Sequence, residues 1–351
     1  MYSTSNQIEK FYFQWHITNK CNLRCNHCYQ ESYTDQNELG LEDLKRIANK
    51  IIFTMRKWEK YGDISITGGE PFIKQELFPL LEYLDNSDRI LRLDILTNGL
   101  LITDEIAEKL MRIKKLKNVQ ISLDGATPEI HEQIRGKGTF RKALRGIRIL
   151  GKHGIAVKIM FTLQQLNKKE VPGLIDLAIK EKISGLTIER MIPTGSAKDK
   201  KDSLLSPQEL RDLFQYVSDR SDFEFNKGNK LRILKYRPLW INVNRNMAES
   251  DTDSHGGLGA ICSIGYDGLC IMPDASVLAC RRLPIVIGNL KTDSIEKIWF
   301  ESELLWQIRD KRNLKGKCKS CEHIPRCSGC RSMAFAVTGD YLSEDPNCWK
   351  K

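Results

Sequence analysis

Six short apolar, β-branched runs recur along the first half of the chain: "FYFQWHIT" (11–18), "DISITG" (63–68), "RLDILTN" (92–98), "NVQISLD" (118–124), "VKIMFTL" (157–163) and "GLTIERM" (185–191). Between them, as at 41–61, 76–86, 104–116 and 142–154, apolar positions recur with the period of a helix. Strands alternating with helices at this spacing predict a parallel sheet buried under helices. Pattern alone leaves two closures open, a flat twisted sheet or a partial barrel. The polar residues decide between them. The strand ends carry in turn three cysteines, "GGEP", "TNG", "SLDG", Thr162, and the pair Glu189 and Arg190. A βα barrel gathers chemistry at that one rim, so the expected fold is a partial (β/α)6 TIM-type barrel followed by a small cysteine-rich α+β domain. The expected boundaries are 1–10 for an N-terminal extension, 11–220 for the barrel, 221–260 for a connecting segment and 261–351 for the cysteine-rich domain.

Composition adds a compartment. The 351 residues are 41% hydrophobic and 28% charged, which describes a globular chain with ample core. No run approaches a membrane span, and "MYSTSNQIEKFYFQW" lacks the basic-then-apolar order of a secretory signal. A cytoplasmic location follows, where thiols stay reduced and the eleven cysteines are better read as metal ligands than as disulfides. Three of them cluster near the start and eight lie between Cys262 and Cys348, so two metal-binding regions flank a cysteine-free body. The net charge of +10 is spread along the chain, a solvated surface with a preference for acidic partners rather than a nucleic-acid footprint.

The segment "CNLRCNHCY" (21–29) offers three thiols, one too few for a closed tetrahedral site. With an aromatic after the last cysteine and GGE one βα unit later, the chain resembles the radical S-adenosylmethionine (SAM) enzymes over nearly its whole length. That resemblance implies that Cys21, Cys25 and Cys28 hold a 4Fe-4S cluster whose fourth iron binds SAM, and that reductive cleavage of SAM yields a 5'-deoxyadenosyl radical. It also implies that Tyr29 lies beside the adenine, that Gly68 and Gly69 admit the methionine moiety and that Glu70 accepts from its ammonium group. Asn98, Ser122 and Asp124 fall where family members contact ribose or carboxylate, although Asp124 also suits the turn before Gly125. Arg135 is a partner for the SAM carboxylate or a structural ion pair, and Thr162 and Arg190 complete the set of candidate SAM contacts.

The C-terminal cysteines carry a second resemblance. "CSIGYDGLCIMPDASVLAC" reads as a hairpin and "CKSCEHIPRCSGC" as a zinc ribbon, yet one zinc site would leave four further cysteines without a task. Together with "IGNL", "SIEKIW" and "CSGCRSMA" these stretches resemble the SPASM extension, which carries two auxiliary 4Fe-4S clusters. By that analogy Cys318, Cys321, Cys327 and Cys348 hold an outer cluster, and Cys262, Cys280 and Cys330 an inner one. Cys270 is its fourth ligand or else a small hydrophobe packed in the hairpin. The chain departs from the family at Ala275, where glycine is usual, in the C-x2-C spacing of Cys327 and Cys330, and in having Arg281 and Arg282 where sulfatase-maturating enzymes have an acidic base. These arginines disfavour sulfatase maturation and favour an anionic substrate, with Arg281 cast as a carboxylate clamp.

Two enzyme readings follow. A peptide or protein maturase comes first, in keeping with most SPASM enzymes, with a flavodoxin- or ferredoxin-type reductase and a separate leader-peptide-binding protein as partners. The alternative is a tetrapyrrole propionate decarboxylase of an alternative haem route, because "GCRSMAFAVTGDYLSEDPNC" resembles the end of those enzymes. A plain iron-sulfur electron carrier does not explain the SAM constellation.

Overall fold

The computed structural model describes residues 9–235, 237–243, 262–324 and 326–350. Strands β1 (Lys10–His16), β2 (Tyr61–Thr67), β3 (Ile90–Thr97), β4 (Leu116–Ser122), β5 (Val157–Leu163) and β6 (Gly185–Arg190) form the expected run. They alternate with helices α1 (Leu41–Lys57), α2 (Leu77–Asp85), α3 (Asp104–Met111), α4 (Pro128–Arg135), α5 (Thr139–Lys152) and α6 (Val171–Lys180). Then come α7 (Pro207–Asn226), a three-residue β7 (Arg232–Leu234), the strands β8 (Gly268–Ile271), β9 (Ser276–Cys280) and β10 (Leu283–Asn289), and helices α8 (Ile295–Glu301), α9 (Glu303–Arg309) and α10 (Arg331–Thr338).

All ten strands belong to one sheet, ordered β10-β9-β8-β1-β2-β3-β4-β5-β6-β7. From β8 to β7 neighbours run parallel; β9 and β10 are antiparallel. This is a partial TIM-like barrel whose cysteine-rich extension continues the barrel's own sheet, through the pairing of Tyr12 with Gly268 and of Gln14 with Cys270. The expected boundary at 220 falls inside α7, which Ser206 starts with a reciprocal capping box to Glu209 and Pro207 at its first position. The extension expected at 1–10 lies largely outside the described residues. The hairpin turn survives without glycine: Ala275 adopts φ +72° and donates its N–H to the Met272 carbonyl, at a cost of about 1–2 kcal/mol.

The strands have two different faces. Phe11, Phe13, Trp15, Ile64, Ile66, Val119 and Ile121 point outward under the helices, each essentially buried and each contributing about 1.5–3 kcal/mol. The alternate positions Gln14, Ser65, Gln120 and Thr162 point inward and line a cavity. A TIM barrel normally fills its interior with branched apolar side chains; here polar residues keep it open. No described helix is long and apolar enough to cross a membrane.

Candidate active site

The cavity has a volume of 650 Å³, and its wall includes Cys21, Cys25 and Cys28 together with Cys262, Cys270 and Cys280. The first three thiols sit in the loop between β1 and α1, half-buried. Local backbone geometry aims donors at them: Leu23 N–H lies 3.4 Å from the Cys21 sulfur and Gln30 N–H 3.4 Å from that of Cys28. The Arg135 guanidinium stands 3.8 Å from the Cys25 sulfur. Burial pushes the Cys21 thiol up to about 11.

Gly68 and Gly69 follow β2 and lie against this loop. A Cβ on Gly68 would come within 2.4 Å of the Thr18 carbonyl oxygen, and one on Gly69 within 2.3 Å of that of Lys20. The N–H groups of Gly69 and Glu70 donate to those same two carbonyls. The glycines therefore press the cysteine loop onto the second strand, a packing reason beside the one the sequence offered. Gly69→Ala should displace the loop and deplete iron at the triplet while the barrel stays folded. Iron analysis with far-ultraviolet circular dichroism checks this; full iron content would refute it.

Glu70 is fully buried and does not reach the cavity wall. Its carboxylate accepts from Thr97 Oγ1 at 2.7 Å, from Asn98 N at 2.8 Å and from Phe72 N at 3.2 Å. Burial raises this carboxyl to about 7, against those hydrogen bonds. Asn98 does line the cavity, and its amide donates to Asn22 Oδ1 beside Cys21 at 2.7 Å. Glu70 thus braces the Asn98 turn against the cysteine loop.

Asp124 is the centre of a buried network. His27 Nε2 and Arg135 Nε both lie 2.6 Å from its Oδ2, and Thr162 N donates to Oδ1 at 2.7 Å. Burial pushes this carboxyl up, but Arg135 and His27 outweigh that and hold it well below the usual carboxylate range. The structure thus ties Asp124 and Arg135 into one ion pair that anchors the loop of Cys25 and Cys28 to β4 and α4. Ser122, Thr162, Tyr29 and Arg135 face the cavity; Asp124 does not. Sequence reading passed over His27, which also lines the cavity with Nδ1 buried and unpartnered. It passed over Gly195 too, whose φ is +63° and whose absent Cβ would fall 2.2 Å from the Tyr29 backbone.

The later cysteines gather in two groups. Cys262 lies within electrostatic reach of Cys280 and Cys330, and Cys318 of both Cys327 and Cys348. Cys321 sits half-buried on the same loop as Cys318. Cys270 is buried in β8, on the cavity wall and near Cys280. Burial raises Cys280, yet the Arg282 guanidinium and the Ser332 hydroxyl outweigh it and leave the thiol below its ordinary value. Arg282 pairs with Glu189 at 3.1 Å, and Glu189 also pairs with Arg237 at 2.6 Å. Arg281 lies 4.7 Å above the Tyr29 ring, and its Nε is buried without a partner. Arg190 lines the cavity as well, and it grips Asp345 with two bonds of 2.9 and 2.8 Å.

These features fit iron-sulfur clusters. In a 4Fe-4S cube each thiolate binds its own iron, so ligands surround a volume rather than converge on a point. Among the described residues no three His, Cys, Asp or Glu side chains converge as a single ion requires. Cavity, aimed N–H donors and buried thiols suit the thiolate clusters and a polar cofactor such as SAM.

Comparison with known proteins agrees. The Radical SAM superfamily profile matches residues 15–178, and the SPASM profile, an iron-sulfur cluster-binding domain, residues 262–322. The AdoMet-dependent heme synthase of Methanosarcina barkeri is 30% identical over 346 residues, covering 95% of each chain. Mycofactocin maturase MftC of Mycolicibacterium smegmatis is 29% identical, covering 95% of this chain and 81% of its own. Streptococcus suis SuiB bound to its precursor peptide SuiA superposes with a TM-score of 0.77 at 19% identity, over 97% of this chain and 76% of that one, a likeness of fold. The chain belongs to the radical SAM superfamily, as an iron-sulfur enzyme with a C-terminal SPASM domain.

Proposed function

We propose that the enzyme decarboxylates propionate side chains of an iron tetrapyrrole in an alternative haem route. The observation that carries this reading is Arg281, a cation on the cavity wall whose Nε is buried and unpartnered. Its neighbour Arg282 is already held by Glu189, so of these two arginines Arg281 is the one left to receive a carboxylate. A propionate presents that carboxylate on a short flexible arm, which lets Arg281 anchor the acid while the cavity wall fixes the carbon next to it. Relatives named AdoMet-dependent heme synthase and Fe-coproporphyrin III synthase, each aligned over 95% of this chain, support the same substrate class. These two lines put the tetrapyrrole ahead of the peptide reading that ranked first on sequence alone.

Cys21, Cys25 and Cys28 would hold the cluster that, with SAM, supplies a radical able to take a hydrogen atom from the propionate arm. Loss of carbon dioxide then leaves a vinyl group and one electron, which a cluster held by the later cysteines or an external one-electron acceptor would have to receive. Tyr29 lies against the Arg281 guanidinium on the cavity wall, and the Glu189 pairs keep Arg282 and Arg237 from competing for the carboxylate. An acidic flavodoxin- or ferredoxin-type reductase suits the net charge of +10.

The test is anaerobic incubation of the protein with SAM, dithionite and iron-coproporphyrin III, followed by mass spectrometry of the pigment. Loss of carbon dioxide from propionate arms is expected, and Arg281→Ala should raise KM roughly tenfold or more, the loss of one charge-assisted hydrogen bond. SAM cleavage without substrate should persist in that variant. An untouched tetrapyrrole beside a modified precursor peptide would return the enzyme to the maturase class.

A further inference from the structure

Arg331 opens α10 directly after Cys330 and is 1% exposed. Its Nη1 donates to the carbonyls of Tyr341 at 2.8 Å and Ser343 at 2.7 Å, and its Nη2 points at the Cys318 sulfur 4.0 Å away. Its Nε is buried with no partner. Arg135 and Arg190 are met by carboxylates, Asp124 and Asp345; Arg331 is met by carbonyls and a thiol. The nearby Asp345 has both oxygens engaged by Arg190 and also accepts from the N–H groups of Cys330 and Asn347.

The backbone is shaped around this guanidinium. Gly329 has φ +66°, and a Cβ there would lie 2.7 Å from Arg331 Nη2 and 3.4 Å from the Cys318 sulfur. A side chain is left out where the cation approaches the thiol. A buried charge without a counter-ion costs several kcal/mol, and a cluster with thiolate ligands supplies the missing negative charge. Lys311 and Lys317 also stand near these cysteines, with their ammonium groups held by Ser328 Oγ and the Cys348 carbonyl. Both are more exposed than Arg331 and more screened by solvent.

We propose that Arg331 is the buried counter-charge of the cluster at Cys318, Cys321, Cys327 and Cys348, and that it raises the reduction potential of that cluster. This rests on the reading of those four cysteines as ligands. Reduction adds negative charge, a fixed cation beside the sulfurs favours the reduced state, and charge with hydrogen bonding at the sulfurs sets such potentials.

The experiment uses the full chain, anaerobically reconstituted, with Arg331→Gln and Arg331→Lys. Glutamine keeps donors for the two carbonyls and loses the charge; lysine keeps the charge. Iron and zinc analysis accompanies a redox titration followed by electron paramagnetic resonance. The glutamine variant should hold full iron and show one auxiliary signal shifted to a more negative potential, and the lysine variant should recover most of that shift. An unshifted glutamine variant, equal shifts in both, or loss of iron from both would each overturn the proposal, the last by making Arg331 a structural prop. Zinc at these cysteines in the unaltered protein would instead defeat the ligand reading beneath it.

Discussion

Replacing Cys21, Cys25 and Cys28 together by Ala should abolish SAM cleavage and remove one cluster, about a third of the iron if each of the three cysteine groups holds a 4Fe-4S centre. The loss should be complete because no other cysteine lies in the loop between β1 and α1. It should also be clean. The three side chains are half-buried in a loop, and their sulfurs accept weak contacts from Leu23, Gln30 and Arg135 rather than filling the core. The loop itself is held by other means, since Asp124 grips it through His27 and Gly69 and Glu70 donate to its carbonyls. The measurement is iron content, with 5'-deoxyadenosine and methionine counted after dithionite reduction. Residual cleavage, or loss of all the iron, would mean that the three cysteines are not an independent site.

Arg190→Met should destabilise the protein by about 3–5 kcal/mol, the scale for removing one partner from a buried ion pair. Asp345 is fully buried, and without Arg190 it keeps only N–H donors for its charge. With about 2.1 cal/mol/K of unfolding entropy per residue, that loss lowers Tm by roughly 4–7 °C. Adding Asp345→Asn should recover much of it, because the stranded charge goes. Calorimetry of both variants, with SAM affinity measured alongside, separates the two roles open to Arg190. A normal Tm with weakened SAM binding would make it a cofactor contact instead.

The first six strands were legible because each alternates a helix-facing apolar residue with a polar one, as Phe13 with Gln14 and Ile64 with Ser65 do. β7 was not, since three residues carry no period, and nothing near Gly268 announces a parallel partner at Tyr12. At the site, short motifs named the cysteines and the glycine pair. The role of His27 in the network around Asp124 stayed hidden because the two stand 97 residues apart in sequence. The fates of Arg281 and Arg282 diverge for a similar reason: consecutive side chains leave the backbone in different directions, and only the fold reveals that Glu189 waits for the second.

The seam between β1 and β8 bears on how the protein is made. β1 leaves the ribosome before the rest of the barrel, and its partner on one flank emerges some 250 residues later, at roughly 5–20 residues per second. Through that interval a strand bearing Phe11, Phe13 and Trp15 has one unpaired edge, the kind of surface on which nascent chains stick to one another. Production in a fast, crowded expression host therefore favours inclusion bodies even when iron and sulfide are plentiful, and slowing synthesis should help more than enriching the medium.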